Sequence, residues 1–424
     1  MASKAPREGE DSTMRILILS SHYWPEAFRI NELAASLATR GHEVGVLTGL
    51  PNYPAGRFFD GYGLAGPFHQ EHEGVRVTRV PVLPRGKGRA LNLLLSYASF
   101  ALAGTIRAVT LGRRWDVIFA FQTSPVTALA PAAAMRALFG TPVVAWVQDL
   151  WPESIASAGF ARSPTLYAAA RAISGWLYRR CDRILGSSRA FEPRLRMLGF
   201  SGASFGYLPQ WAEEVFQEEG EEGGAPALQD ARWSAGFPVM FAGNLGRVQS
   251  LETLLAAAER LRDDAAIRWV FLGDGSQREW LATEVERRGL ADRVFMLGRQ
   301  PVQHMPAYFA RAGAMIVSLK ADDAMALTVP AKVQAYLAAG RPIIGSIDGE
   351  AAKVIEESGA GWAAPAGDAA GLAEIVSRMK ALPEAERAEM GRKGRDFSRR
   401  NFSRETCLDR LEQVLAEAAA ARRR

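Results

Sequence analysis

The sequence predicts an α/β protein built of two doubly wound, Rossmann-like domains, and three observations predict it. The chain has 424 residues, more than one compact core normally holds. Apolar runs of strand length alternate with longer helical patterns, which is how βαβ units around a parallel sheet read. The alternation also begins twice.

In the first half the strand-like runs are RILILSS at 15–21, EVGVLTG at 43–49, DVIFAF at 116–121 and PVVAWVQD at 142–149. In the second they are PVMFAGN at 238–244, IRWVFLGDG at 267–275, RVFMLG at 293–298, AMIVSL at 314–319 and RPIIGSI at 341–347. The expected boundaries are a flexible leader at 1–13, one domain at 14–212, an acidic, glycine-rich linker at 213–235, a second domain at 236–397 and a C-terminal helix at 398–424. That last helix spaces Phe402, Leu408, Leu411, Val414 and Leu415 on one face and is expected to pack back towards the first domain. The two domains are expected to face each other across a cleft.

Composition narrows the class. Hydrophobic residues at 48% and charged residues at 23% are an ordinary globular balance, unlike a disordered chain or a polytopic membrane protein. Cys181 and Cys407 have no metal-like spacing and suit a reducing compartment. The apolar run Ile16–Leu19 is too short for a signal-peptide core, so the expected location is cytoplasmic. A net charge of +5 and a pI near 9.3 fit an acidic partner: nucleic acid, an anionic lipid surface or a diphosphate.

In doubly wound sheets ligands sit beyond the carboxyl ends of the strands, and four of the loops there are unusual. HYWPEAFRINELAASLATRGHEV follows the first strand and places Arg29 and Asn31 near a helix start, where free N–H groups and a guanidinium can meet an anion or a hydroxyl. Packing of His22, Tyr23 and Trp24 is the plainer reading of that loop. Gln148–Ser154, QDLWPES, carries Asp149 and Glu153 four apart, on one face if the segment is helical; two carboxylates there can hold sugar hydroxyls or act as a base, or simply cap a helix.

Phe241–Leu255 is the third loop. Gly243 and Gly246 let the backbone approach a diphosphate, Asn244 lies between them, and Arg247 supplies charge. Gly273, Asp274 and Gly275 add a second glycine turn in the same half. The fourth, LTVPAKVQAYLAAGRPII at 327–344, starts a helix after Pro330 with Lys332 in its first turn. A lysine there opposes the helix dipole, and an anion is the simplest compensation.

No Walker G-x-x-x-x-G-K-[ST], H-E-x-x-H or first-strand G-x-G-x-x-G occurs in the sequence, which argues against triphosphate hydrolysis, zinc proteolysis and nicotinamide chemistry.

Taken together, RINELAASLATRGHEV, VLTGLPNYPAG, WVQDLWPES, LPQWAEEVF, FAGNLGRVQSLETLL, LTVPAKVQAYLAAGRPII and IDGE resemble glycosyltransferase family 4, enzymes of the GT-B fold, and within it a WbuB-like group associated with N-acetyl-L-fucosamine transfer from UDP. The resemblance implies a retaining, metal-independent hexosyl or N-acetylhexosaminyl transferase with the donor in the C-terminal domain and the acceptor in the N-terminal one. It implies no cofactor, with a UDP-sugar as co-substrate. Lys332 and Arg247 are the candidates for stabilising the leaving diphosphate, with Asp149 and Glu153 beside them as catalytic candidates. Gly243, Asn244, Gly246, Gly273, Asp274, Gly275, Pro330, Gln334 and Glu350 form the expected donor set, and Arg29, Asn31, Asn52 and Tyr53 the acceptor set. Many family members carry two glutamates eight positions apart; here those positions are Leu327 and Ala335, with Gln334 and Glu350 as possible substitutes. The family's usual arginine and lysine of the glycine turn fall on Asn244 and Gln249.

The expected partners are the nucleotide sugar, a polyprenyl-diphosphate-linked saccharide and an anionic membrane surface, with no nucleic acid. Residues 90–111 approach spanning length between basic clusters, and three readings stay open: a span, a core helix or an interfacial element. LYAAARAISGWLYRRCDRI at 166–184 is a second amphipathic candidate. A UDP-sugar 2-epimerase and a non-catalytic sugar-nucleotide scaffold are the competing classes; the histidines supply no assigned base, and His42 reads as structural.

Overall fold

The structure is a computed structural model that describes residues 13–86, 90–154, 163–201, 204–216 and 232–423. Most of the expected leader and of the acidic stretch, 1–12 and 217–231, lie outside the described residues. The chain forms two compact units: residues up to Ser187 with Phe191–Leu208 and the chain from Leu408 onward, and Ser188–Ala190 with Pro209–Cys407.

The first unit holds an eight-stranded sheet of β1 (Arg15–Ser20), β2 (Glu43–Gly49), β3 (His69–His72), β4 (Val75–Val80), β5 (Val117–Gln122), β6 (Val143–Val147), β7 (Arg183–Gly186) and β8 (Phe205–Tyr207), in the order β3-β4-β2-β1-β5-β6-β7-β8. All neighbours are parallel except β3 and β4. Every residue of β5 and β6 is buried, as expected of central strands covered on both faces. The connecting helices are α1 (Arg29–Thr39), α2 (Ala90–Leu111), α3 (Ala130–Phe139), α4 (Pro164–Tyr178) and α5 (Phe191–Met197). Strand order reverses direction between β1 and β5, so right-handed crossovers put α1 on one face of the sheet and α2, α3 and α4 on the other.

α1 is ordinary: Ile30, Leu33, Ala34 and Leu37 face the sheet. α2 is not. It packs Ser96, Phe100, Gly104 and Ala108 inward, with Gly104 so close to Pro131 that an added Cβ would lie 3.1 Å from its ring, and turns leucines outward. Among the described residues α2 is the one helix long and apolar enough to cross a membrane.

The second unit holds a six-stranded, all-parallel sheet, β11-β10-β9-β12-β13-β14, of β9 (Phe237–Ala242), β10 (Ile267–Leu272), β11 (Val294–Gly298), β12 (Ala314–Ser318), β13 (Ile343–Ser346) and β14 (Gly361–Ala364). Its helices are α6 (Leu251–Arg260), α7 (Arg278–Arg287), α8 (Met305–Ala310), α9 (Asp323–Ala326), α10 (Ala331–Ala338), α11 (Gly349–Glu357), α12 (Ala369–Ala381) and α13 (Glu384–Phe402). Phe241, Leu254, Trp269, Phe271, Ile316, Leu372 and Val376 centre its core. Here the switch in strand order lies between β9 and β12.

The helix expected to begin at 398 is two helices. α13 runs through that position, and α14 (Arg404–Arg423) starts afresh after Ser403, whose hydroxyl accepts from the Thr406 N–H at 3.1 Å as an N-cap. From Leu408 onward α14 belongs to the first unit: Arg40 meets Asp409 at 2.7 Å, His42 Nε2 meets Glu412 at 2.8 Å, and Arg422 donates to the Trp115 carbonyl at 2.7 Å.

Candidate functional site

At the carboxyl ends of β9 and β10 the two glycine loops interlock. Gly243 N–H donates to Leu272 O and Leu245 N–H to Asp274 O, each at 2.8 Å. A Cβ on Gly273 would stand 1.9 Å from Gly243 O, and φ is +129° at Gly243 and +140° at Gly273, so neither position takes a side chain without strain. Asn244 is exposed and lies against Gly246, and Asp274 folds back to accept from the Gly275 N–H at 2.8 Å. Arg247 sits in a 3-10 turn, Arg247–Gln249, and is exposed.

Lys332 reaches over this glycine platform. An added Cβ on Gly243 would meet its Cε at 2.7 Å. Its ammonium donates to Gln249 Oε1 at 2.6 Å and lies 3.5 Å from the Phe241 ring centroid, a cation–π contact. No carboxylate lies within ion-pair distance of it among the described residues, and burial pulls its pKa from 10.5 down to about 7. Pro330 precedes the first turn of α10 with extended backbone; Val333 N–H donates to Pro330 O at 2.9 Å, and the Ala331 and Lys332 N–H groups ahead of it have no acceptor within the helix. One turn further on, the buried Tyr336 hydroxyl accepts from Ala242 N–H at 2.9 Å and donates to Ala242 O at 3.1 Å, fixing α10, and so Lys332, to the end of β9.

Two expected donor residues are placed otherwise. Glu350, in the first turn of α11, is buried and bonded to Arg189 Nε, and Arg189 also meets Glu357 at 2.8 Å. Its carboxylate is already neutralised and does not stand in for the missing acidic pair. Gln334 is 2% exposed with Oε1 unpartnered among the described residues, inside the helix packing instead of on its open side.

In the first unit the loop after β1 folds around Glu26, a residue the sequence reading left aside. Glu26 is 2% exposed; its Oε1 accepts from the Asn52 and Tyr53 N–H groups, both at 2.7 Å, and its Oε2 lies 2.8 Å from His22 Nδ1. His22 stacks on Phe28 with ring centroids 4.8 Å apart. Asn52 Oδ1 accepts from the Arg85 N–H at 3.2 Å and its Nδ2 donates to Leu50 O at 3.0 Å, so this expected acceptor residue, 4% exposed, holds the loop instead of facing outward; Arg85 covers the Tyr53 ring at 5.2 Å. Tyr53, 39% exposed, is the open member of the set.

The expected roles of Asn31 and Arg29 need correction. Asn31 accepts from Trp24 N–H at 3.0 Å and donates to Glu26 O at 2.7 Å, so both ends of its amide staple the loop. Arg29 is paired with Glu32 at 3.0 Å, one helical turn on. The helical pairing of Asp149 with Glu153 does not form either, because residues 148–151 are non-helical ahead of Pro152, whose ring disfavours helix at the residue before it. Asp149 lies under Ser124: burial raises its pKa against the hydrogen bonds from Ser124 that lower it. Glu153 Oε2 is buried and unpartnered among the described residues.

Known proteins separate what these loops share with others. Residues 27–211 match a glycosyl transferase 4-like domain and residues 236–381 match the domain described as glycosyl transferases group 1. The chain is a glycosyltransferase of the GT-B fold. It is 26% identical over 333 residues to WbjE of Pseudomonas aeruginosa, named a glycosyltransferase, covering 77% of this chain and 80% of WbjE. It is likewise 26% identical to WcaI of Escherichia coli (strain K12), named a colanic acid biosynthesis glycosyl transferase, covering 77% and 82%. The structure of Anabaena HepE in complex with UDP-glucose superposes with a TM-score of 0.64 at 16% identity, covering 96% of this chain and 100% of HepE, a likeness of fold.

Within this glycosyltransferase, three features escaped the sequence reading. Glu26 stands four residues from His22, the one signal available beforehand. Tyr336 carried no signal, because its partner is a backbone group 94 residues away. Arg79 is 2% exposed and spans from Gln70 Oε1 at 2.8 Å to Trp24 O at 2.5 Å, bracing the β1 loop from behind.

Proposed function

We propose that this glycosyltransferase moves a sugar from a UDP donor to a lipid-linked saccharide in surface polysaccharide assembly, with retention at the anomeric carbon and without a metal ion. The donor is N-acetyl-L-fucosamine or a related N-acetylated hexosamine, in keeping with the WbuB-like motifs. The observation that carries the reading is the buried Lys332 ammonium above a glycine platform with no acid beside it among the described residues. Such a site is built for an anion. UDP-glucose bound to HepE and the polysaccharide role in the name of WcaI support the donor class and the pathway.

In this reading the acceptor hydroxyl oxygen bonds the anomeric carbon as the bond to the diphosphate breaks. The hydroxyl proton passes to a donor phosphate oxygen, and Lys332 with the first N–H groups of α10 meets the charge that develops on the diphosphate. Tyr53 and Arg85 face the acceptor in the first unit. Thermal unfolding of the protein with UDP, GDP and dTDP, followed by transfer from the UDP-sugar in the presence of EDTA, tests this. UDP alone is expected to raise the melting temperature at millimolar concentration and transfer to persist with EDTA. No shift with UDP, or epimer formation from donor alone, would overturn it.

A further inference from the structure

The outward side of α2 carries Leu91, Leu94, Leu95, Ala98, Leu102 and Ile106, spaced to form one stripe along a helix. Its five large residues are 45% to 67% exposed. The stripe runs about 22 Å at the α-helical rise, and no charged residue interrupts it. A surface helix normally shows the reverse polarity. α4, on the same face of the sheet, exposes Leu166, Ile173 and Trp176, with the Arg180 guanidinium 3.7 Å over the Trp176 ring. Both helices rest on the 3-10 turn Val126–Leu129.

At the C-terminal end of α2 lies a cavity of about 400 Å³ lined by His69, Gln70, Arg76, Arg107, Thr110 and Arg114, among others. Arg76 is paired with Glu43, whereas Arg107 bonds Thr110 Oγ1 at 3.2 Å and His69 Nε2 at 3.4 Å, and Arg114 stacks on Trp115 at 4.5 Å. Among the described residues, three guanidiniums therefore share one carboxylate in an ion pair, beside a bare apolar stripe.

We propose that this face seats the protein on an anionic phospholipid bilayer, the α2 and α4 stripes entering the boundary between headgroups and acyl chains and the arginine pocket taking a headgroup phosphate. Charge decides the occupant. Trp176 under Arg180 is the pairing that suits the headgroup level, and cationic groups flanking an apolar helix face are drawn to anionic lipid. A two-fold dimer through the same face would set the arginine-rich rim against a copy of itself. The helix lies on the bilayer and does not cross it, because its other side is packed against α3 through Gly104 and Pro131. The inference stands on the first unit alone and does not need the donor reading above.

The test uses the full chain and vesicles of phosphatidylcholine with or without phosphatidylglycerol. The wild-type protein is expected to sediment with phosphatidylglycerol vesicles and to be released by high salt. Leu94→Glu, Leu102→Glu and Ile106→Glu combined should weaken binding by about tenfold or more, and Arg107→Glu with Arg114→Glu should weaken it towards phosphatidylglycerol alone. An environment-sensitive dye on Leu102→Cys should shift to the blue on binding; Cys181 and Cys407 are both buried and leave that site as the accessible thiol. The UDP-induced melting shift of each variant, measured in parallel, shows that it is folded and keeps the two readings separate. Wild-type protein that stays in the supernatant, a folded triple variant that binds as well as wild type, or a wild-type dimer that the triple variant splits without any vesicle binding would overturn the proposal.

Discussion

Glu26 in the first unit and Lys332 in the second are both buried charges in loops at the carboxyl end of a parallel sheet, and they are treated oppositely. Glu26 is met by two backbone N–H groups and an imidazole nitrogen. Lys332 is met by one amide oxygen and the face of a ring. A buried charge that is fully hydrogen-bonded organises its surroundings; one left without a counter-charge costs stability until a ligand supplies it. The first unit's loop is thus set before anything binds, and the second unit's loop is completed by what binds.

Removing each charge should break that contrast in a different way. Lys332→Met is expected to have the largest effect, lowering turnover by about 10²–10³-fold, as when a donor to a developing oxyanion is lost, while the melting temperature of the free protein holds or rises because an unpaired ammonium has left the interior. Steady-state kinetics beside a melting curve checks both halves, and a fall in both would place Lys332 in the fold instead of the reaction. Glu26→Ala should act the other way: two orphaned N–H groups cost about 2–4 kcal/mol in stability, read by urea unfolding, with UDP affinity unchanged.

The smallest expected effect sharpens the comparison through pH. Lys332 titrates near 7 in the folded protein, below its ordinary 10.5, so between those values the unfolded chain binds the extra proton and stability of the free protein should rise with pH. UDP prefers the ammonium form, so its affinity should fall over the same window, by at most about tenfold per pH unit. Calorimetric titration and unfolding across pH 7–9 should therefore give slopes of opposite sign, and both should flatten in Lys332→Met.

Much of this was legible in the chain. Runs such as EVGVLTG announced strands because both faces of a central parallel strand are apolar, and glycines directly after strands announced the platform. β3, HQEH, was not legible, since an edge strand with polar side chains has no pattern to read, and neither was β14, GWAA, four residues with a single large apolar side chain. Site residues were harder, for a physical reason: a side chain's role depends on what pairs with it. Glu350 read as a ligand until Arg189, 161 residues away, was found on it, and Asn31 read as a contact until both ends of its amide were found in the loop. The apolarity of 90–111 was visible, but which side of that helix faced the core was decided by α3.

Tyr336 carries a consequence for motion. β12 hydrogen-bonds with β9 only alongside Val239 and Met240, and beyond them the phenol takes both backbone groups of Ala242 that a neighbouring strand would otherwise engage. Strand end and helix are thereby riveted at one point, so α10 cannot slide without dragging the end of β9 along. A nucleotide pulling on the start of that helix would be felt at β9 as a mechanical load, and the stiffness of the rivet sets how far Lys332 can follow its ligand.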